Sequence, residues 1–119
     1  MTACPFCDRI AAGDYAEKSR GMTVVAFPPL APVTPGHLLV VPVVHVADAL
    51  ANPCITGDTM QFAARLACDL GLKPCNLITS AGAEATQTVM HLHIHIVPRA
   101  EGDGLHLPWT GQQKTADSR

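Results

Sequence analysis

Nothing in this chain restricts its fold more than the run His91-Leu92-His93-Ile94-His95-Ile96-Val97-Pro98-Arg99. Imidazoles and large aliphatic side chains alternate there, which is the period-two pattern of a strand with two unlike faces. The spacing predicts a strand that carries His91, His93 and His95 on one face. Met90, Leu92, Ile94 and Ile96 then turn to a core on the other face. Same-face residues sit about 6.5–7 Å apart, from a rise of about 3.3 Å per residue. A row of imidazoles at that pitch can divide the work of nucleophile, acid or base, and metal ligand. Grouping three titratable rings is costly unless each has a partner.

The rest of the chain supplies what such a strand pairs with. Cys4 to Gly13 reads as a compact N-terminal segment. Thr23 to Phe27 is a short strand ended by Pro28-Pro29, and a Pro-rich loop runs from Ala31 to Pro35. His37 to Pro42 reads as a buried strand with a histidine at its mouth. The one long helical pattern spans Thr56 to Leu70, with Phe62, Ala63, Leu66, Ala67 and Leu70 on its apolar face. Thr56 or Asp58 suits its start and Gly71 its end. Cys75 to Thr79 is a further strand, and the polar loop Ser80 to Thr88 leads into the histidine run. Strands joined by short loops, with one helix, predict an α+β domain: an antiparallel sheet with a helix packed on it.

Composition narrows the function classes. At 119 residues, 48% hydrophobic and 15% charged, the chain can bury a core without disulfide staples. A formal net charge of −2 gives no reason to expect a nucleic-acid backbone as partner. The longest apolar stretch, Leu38 to Val44, is too short to span a bilayer and contains Pro42. Met1-Thr2-Ala3-Cys4 has neither the basic nor the apolar region of a signal peptide. With an odd cysteine count of five, this points to a reduced, cytoplasmic setting. Cys54, Cys68 and Cys75 are expected to be buried as small hydrophobes. The polar tail from Gln112 to Arg119 is expected to fray.

Two further groups carry chemistry. Cys4-Pro5-Phe6-Cys7 offers two thiolates from one tight turn, which suits half of a tetrahedral zinc site. His45 and one histidine of the triad would complete a two-cysteine, two-histidine set, and spacing alone leaves open which one. The loop Gly82-Ala83-Glu84-Ala85-Thr86-Gln87-Thr88 has the backbone N–H groups, amide and hydroxyl of a phosphate cradle. Trp109, behind Pro108, reads first as a C-terminal packing anchor and second as a cover over a substrate pocket or a partner subunit.

The pattern Gln87-Thr88-Val89-x-His91-x-His93-x-His95 resembles the signature of the histidine triad (HIT) nucleotide hydrolases and transferases. Cys4-x-x-Cys7 with Ile10 and Gly13, Thr34-Pro35-Gly36-His37 through His45, and Pro98-Arg99 extend the likeness over most of the chain. The resemblance implies a single HIT domain over 1–99, with a sheet of about five strands and one long helix, followed by an extension over 100–119. It implies a homodimer paired through that helix and a strand edge. It implies a structural zinc held by Cys4, Cys7, His45 and His91, which assigns the first triad histidine to the metal. His93 is then the nucleophile at the α-phosphorus of a nucleotide or nucleotide conjugate. His95 binds a phosphate oxygen, Gln87, Thr88 and Ser80 serve the phosphate side, Ile10 belongs to the substrate site, and His37 supports by hydrogen bonding.

Three positions depart from that family's pattern. Pro29 stands where an aspartate commonly takes the ribose hydroxyls, Ser80 where an asparagine is usual, and Thr86 where a glycine often allows close approach. Two other readings remain at this stage. One is a nucleotide-binding module without turnover. The other is a metalloenzyme whose metal sits on His91, His93 and His95 together.

Overall fold

The computed structural model describes residues 3–110. Helix α1 (Pro5–Ala11) is followed by β1 (Glu17–Lys18), β2 (Val24–Phe27) and β3 (Leu38–Pro42), then by the long helix α2 (Pro53–Asp69), β4 (Cys75–Ile78) and β5 (Ile94–Pro98). One turn of 3₁₀ helix, Ala83–Ala85, interrupts the loop between β4 and β5. The sheet is antiparallel throughout, in the order β1-β2-β3-β5-β4. This is the expected α+β architecture of five strands and one long helix. The segment Cys4–Gly13 is mostly helix, and the two-residue β1 carries no sequence signal. The tail from Gln112 lies outside the described residues.

Both faces of the sheet are covered, and the alternation in each strand sorts residues between them. Val24, Ala26, Leu38, Val40, Ile94 and Ile96 face α2 and pack with its Ala63, Leu66 and Ala67. Val25, Phe27, Leu39 and Val41 face the other way, against Cys4 and Phe6 at the start of α1. A fully buried isoleucine such as Ile94 or Ile96 contributes about 1.5–3 kcal/mol of hydrophobic stabilisation.

The expected strand from His91 starts only at Ile94. The β3–β5 register pairs Leu38 with Ile96 and Val40 with Ile94, so the next pair would set Leu92 against Pro42, which has no N–H to donate. The segment bonds elsewhere: Leu92 N–H donates to the Val46 carbonyl at 2.7 Å. Leu92 is buried as expected, whereas Met90 is 44% exposed rather than in the core.

Helix α2 begins three residues before the expected Thr56. Asn52 caps it, its Oδ1 accepting from Ile55 N–H at 3.2 Å, and Pro53 takes the first helical position. At the other end Gly71 adopts φ +66°. Gly71 N–H reaches Cys68 O at 3.1 Å and Leu72 N–H reaches Ala67 O at 2.9 Å, a Schellman closure. Leu70 is exposed rather than on the apolar face. Cys54 and Cys68 are exposed and Cys75 is half-buried, against the expectation of burial. Cys68 follows the buried Leu66 and Ala67 by about 100° per residue and so turns outward.

Candidate active site and a cysteine–histidine cluster

The triad histidines keep a common side despite lying partly outside β5. The Phe6 ring meets His91 at a centroid distance of 5.9 Å and His93 at 5.1 Å, and His93 meets His95 at 5.2 Å. Phe6 is delivered by α1, whose first turn is fixed by Pro5 and by Cys4, its sulfur accepting from Cys7 N–H at 3.4 Å. A carbonyl, which can only accept, fixes the tautomers of His91 and His93, and His37 fixes that of His95.

His91 donates Nε2–H to the Pro42 carbonyl at 2.8 Å, which leaves Nδ1 as a lone pair. Nδ1 lies 3.4 Å from Cys4 Sγ, 3.5 Å from Cys7 Sγ and 3.1 Å from His45 Nδ1, and Cys7 Sγ lies 3.4 Å from His45 Nδ1. All four atoms fall within 4.8 Å of one another. Metal bonds of about 2.3 Å to sulfur and about 2.0–2.1 Å to nitrogen give tetrahedron edges of roughly 3.3–3.8 Å. At 3.1 Å, His91 Nδ1 and His45 Nδ1 stand close to the edge that two nitrogens bound to one ion would span. The donor set and spacing thus fit a four-ligand metal site, and the Pro42 carbonyl is the outer partner that such a histidine usually has.

His93 donates Nδ1–H to the His91 carbonyl at 2.8 Å, so its Nε2 carries the lone pair. Its own carbonyl accepts from Thr79 Oγ1 at 2.7 Å. His95 lies within β5, paired in register with Leu39 and Ile78. His37, buried just before β3, accepts Val33 N–H on Nδ1 at 3.1 Å. Its proton is therefore on Nε2 and goes to His95 Nδ1 at 3.0 Å. That leaves His95 with Nε2–H as a donor. Lone pair, lone pair and donor are thus set along the row by two backbone carbonyls and by His37.

In the loop before the triad, Gln87 is buried. Its amide donates to the Ala47 and Val89 carbonyls at 2.7 and 3.0 Å and accepts Gly82 N–H at 2.8 Å. Both amide hydrogens are spent on backbone, so the side chain shapes the loop. Thr86 holds φ +75°, a left-handed conformation that a β-branched residue adopts at a cost. Ser80 and Thr86 line a cavity of about 750 Å³ together with Thr79, Glu84, His106 and Trp109. Trp109 is 60% exposed there, not a buried anchor. Thr88 is exposed and borders a second cavity beside Cys4 and His45.

Beside Phe6 a cleft of about 360 Å³ is lined by Pro5, Phe6, Arg9, Asp14, Pro29, Leu30 and Leu39. Ile10 instead packs against the Phe6–Phe27 cluster. Arg9 and Asp14 were not singled out from the sequence; once α1 is known, the i, i+3 relation of Phe6 to Arg9 puts both on one face.

The HIT domain family matches residues 21–102. The chain belongs to the HIT family. It is 35% identical over 119 residues to protein hit of Bacillus subtilis, covering 89% of this chain and 78% of that one. It is 35% identical over 95 residues to adenosine 5'-monophosphoramidase HNT1 of Saccharomyces cerevisiae, covering 77% of this chain and 60% of the relative. Among solved structures, a HIT family hydrolase from Clostridium thermocellum superposes with a TM-score of 0.72 at 31% identity, covering 86% of this chain and 95% of that one.

Electrostatics in this HIT domain favour the neutral forms of His37, His91 and His95. Burial, then the neighbouring His93 and His37, lowers His95 to about 4. Burial also lowers His37 and His91, and at His91 it outweighs the bond to the Pro42 carbonyl. Burial first, then Cys4 beside it, raises the Cys7 thiol.

Proposed function

We propose that the chain is a nucleotide hydrolase or nucleotidyltransferase that cleaves at the α-phosphate through a covalent intermediate on His93. The observation that carries this reading is the His93 Nδ1–H bond to the His91 carbonyl, which presents an unprotonated Nε2 without any change of charge. Nε2 attacks phosphorus, the P–N bond forms, and the bond to the leaving group breaks with its electron pair; the released amine or phosphate takes a proton from water. Water then attacks the same phosphorus and releases a proton that offsets the one taken by the leaving group. The bond from phosphorus to Nε2 breaks with its electron pair returning to Nε2, which restores His93 to its starting state. His95 donates Nε2–H to a phosphoryl oxygen, where charge builds up, and His37 holds His95 in the tautomer able to do so. Gln87 acts through the loop it holds. Ser80 and Thr88 supply hydroxyls to the phosphate side.

We further propose that Cys4, Cys7, His45 and His91 hold a structural zinc. The closed four-ligand set leaves no position for substrate, so its chemistry is to tie α1 and Phe6 to the triad. This set takes His91 away from any three-histidine metal centre. Relatives named as adenosine 5'-monophosphoramidases support a nucleoside phosphoramidate as substrate. The non-catalytic alternative fails if wild-type protein releases the amine from such a compound. Replacing His93 by Ala should abolish that release while nucleotide binding, read by calorimetry, persists; turnover that survives in the variant would sink the His93 role. We also propose a homodimer through α2 and the open edge of β4. Sedimentation at micromolar concentration should give twice the 12.5 kDa chain mass, and a monomer there would refute it.

A further inference from the structure

Ring contacts link the cleft beside Phe6 to the triad: His93 touches Phe6, Phe6 meets Phe27 at 5.4 Å edge-to-face, and Arg9 covers the Phe27 ring at 3.9 Å. A substrate with its phosphorus at His93 and its far end in this cleft meets Arg9. The walls there, Pro5, Phe6, Leu30 and Leu39 among them, are apolar and suit a planar ring. The rim is charged. Arg9 Nε donates to Asp14 Oδ2 at 3.1 Å and Nη1 to the Pro28 carbonyl at 3.1 Å. The guanidinium is thus held in one orientation by an ion pair, a carbonyl and an aromatic face. Arg9 Nη2 and Asp14 Oδ1 remain for a ligand: one charged donor beside one charged acceptor.

Pro29 also lines this cleft, and it offers a ligand no side-chain hydrogen bond. Polar recognition at this end thus falls to Arg9 and Asp14, and what they complement is a ring edge with a strong acceptor next to an N–H. We propose that Arg9 and Asp14 determine base specificity and select a 6-oxopurine, guanine above all. The guanidinium meets O6 or N7, its usual partners on guanine, and the carboxylate accepts N1–H. Adenine in the same seating sets its 6-amino group against the guanidinium and its unprotonated N1 against the carboxylate. Each is a like pairing, and such mismatches cost more than the matched bonds gain. This inference rests on the nucleotide reading given above.

The test compares guanosine and adenosine 5'-phosphoramidates as substrates, and GMP and AMP as ligands by calorimetry, on the full chain. Wild type should favour guanosine about tenfold in kcat/KM, the low end of what one well-placed charged contact delivers in base discrimination. GMP should bind correspondingly tighter than AMP. Asp14→Asn is a change at an exposed side chain, and Arg9→Met keeps the stem over Phe27; both should bring the ratio close to one. Melting curves that match wild type show that the variants are folded. Equal or better use of adenosine by wild type overturns the proposal, as does a ratio unchanged in both variants. If neither compound is turned over, the hydrolase reading falls, while a GMP preference abolished by the same variants still upholds the rim's role.

Discussion

His95 faces two other imidazoles, His37 at 3.0 Å through nitrogen and His93 across a ring contact of 5.2 Å. Protonating it would place a positive charge against the Nε2–H of His37 in a half-buried site. The shift has a definite sign. Its value in the fold is about 4, below the 6.5 of an unperturbed histidine, so on acidification the unfolded chain takes up the proton first. The stability contributed by the neutral ring is complete above pH 6.5, declines as pH falls toward 4, and is gone below that. Denaturant midpoints should therefore drop between pH 6.5 and 4, and more steeply in wild type than in His95→Asn. Equal slopes would mean that His95 is not held neutral by the fold. The residue types of the row were legible in the sequence, but the tautomers were not. They depend on carbonyls of His91 and Pro42 and on Val33 N–H, which alternation says nothing about.

At the scale of elements, the alternation of β5 and the spacing of α2 forecast the core between them, while the second core, against Cys4 and Phe6, was not forecast. What the pattern overstated was the length of β5, since it cannot see that the facing partner of Leu92 is a proline. It also missed the start of α2, because Asn52 and Pro53 signal a cap without adding to the apolar stripe. Helix α1, at seven residues, is too short to register as a period. Such a helix is marginal alone and gains its stability from Phe6 in the core and from the cysteine–histidine cluster. Zinc should therefore be present at one ion per chain, and Cys4→Ala with Cys7→Ala should lose it and lower the melting temperature. Binding of zinc at free histidines in the double variant would instead favour a site on His91, His93 and His95. Elemental analysis alongside melting separates the two.

Across the whole molecule, a sheet covered on both faces brings chemistry to one side only. The α2 face is aliphatic, whereas the α1 face mixes Phe6, Phe27 and Leu39 with the triad and with His37. Among the described residues no helix is long and apolar enough to cross a membrane. The histidine alternation and the Cys4–Cys7 spacing pointed to this side from the sequence, whereas His91 as a member of the metal-ligand set came only with the family resemblance, its partners being far away in the chain. The outer cleft went unread, because Arg9, Asp14, Leu30 and Leu39 come from separate elements and meet only through the β2–β3 register and the turn after α1. Most of the proposed chemistry stands on a single bond, that between phosphorus and His93 Nε2. Rapid acid-free quenching during turnover of a nucleoside phosphoramidate, followed by peptide mass spectrometry, reads that bond directly. One nucleotidyl group should appear on the His91–Arg99 region at His93 and vanish on completion. Turnover with no adduct at any time, or an adduct on another residue, would contradict it.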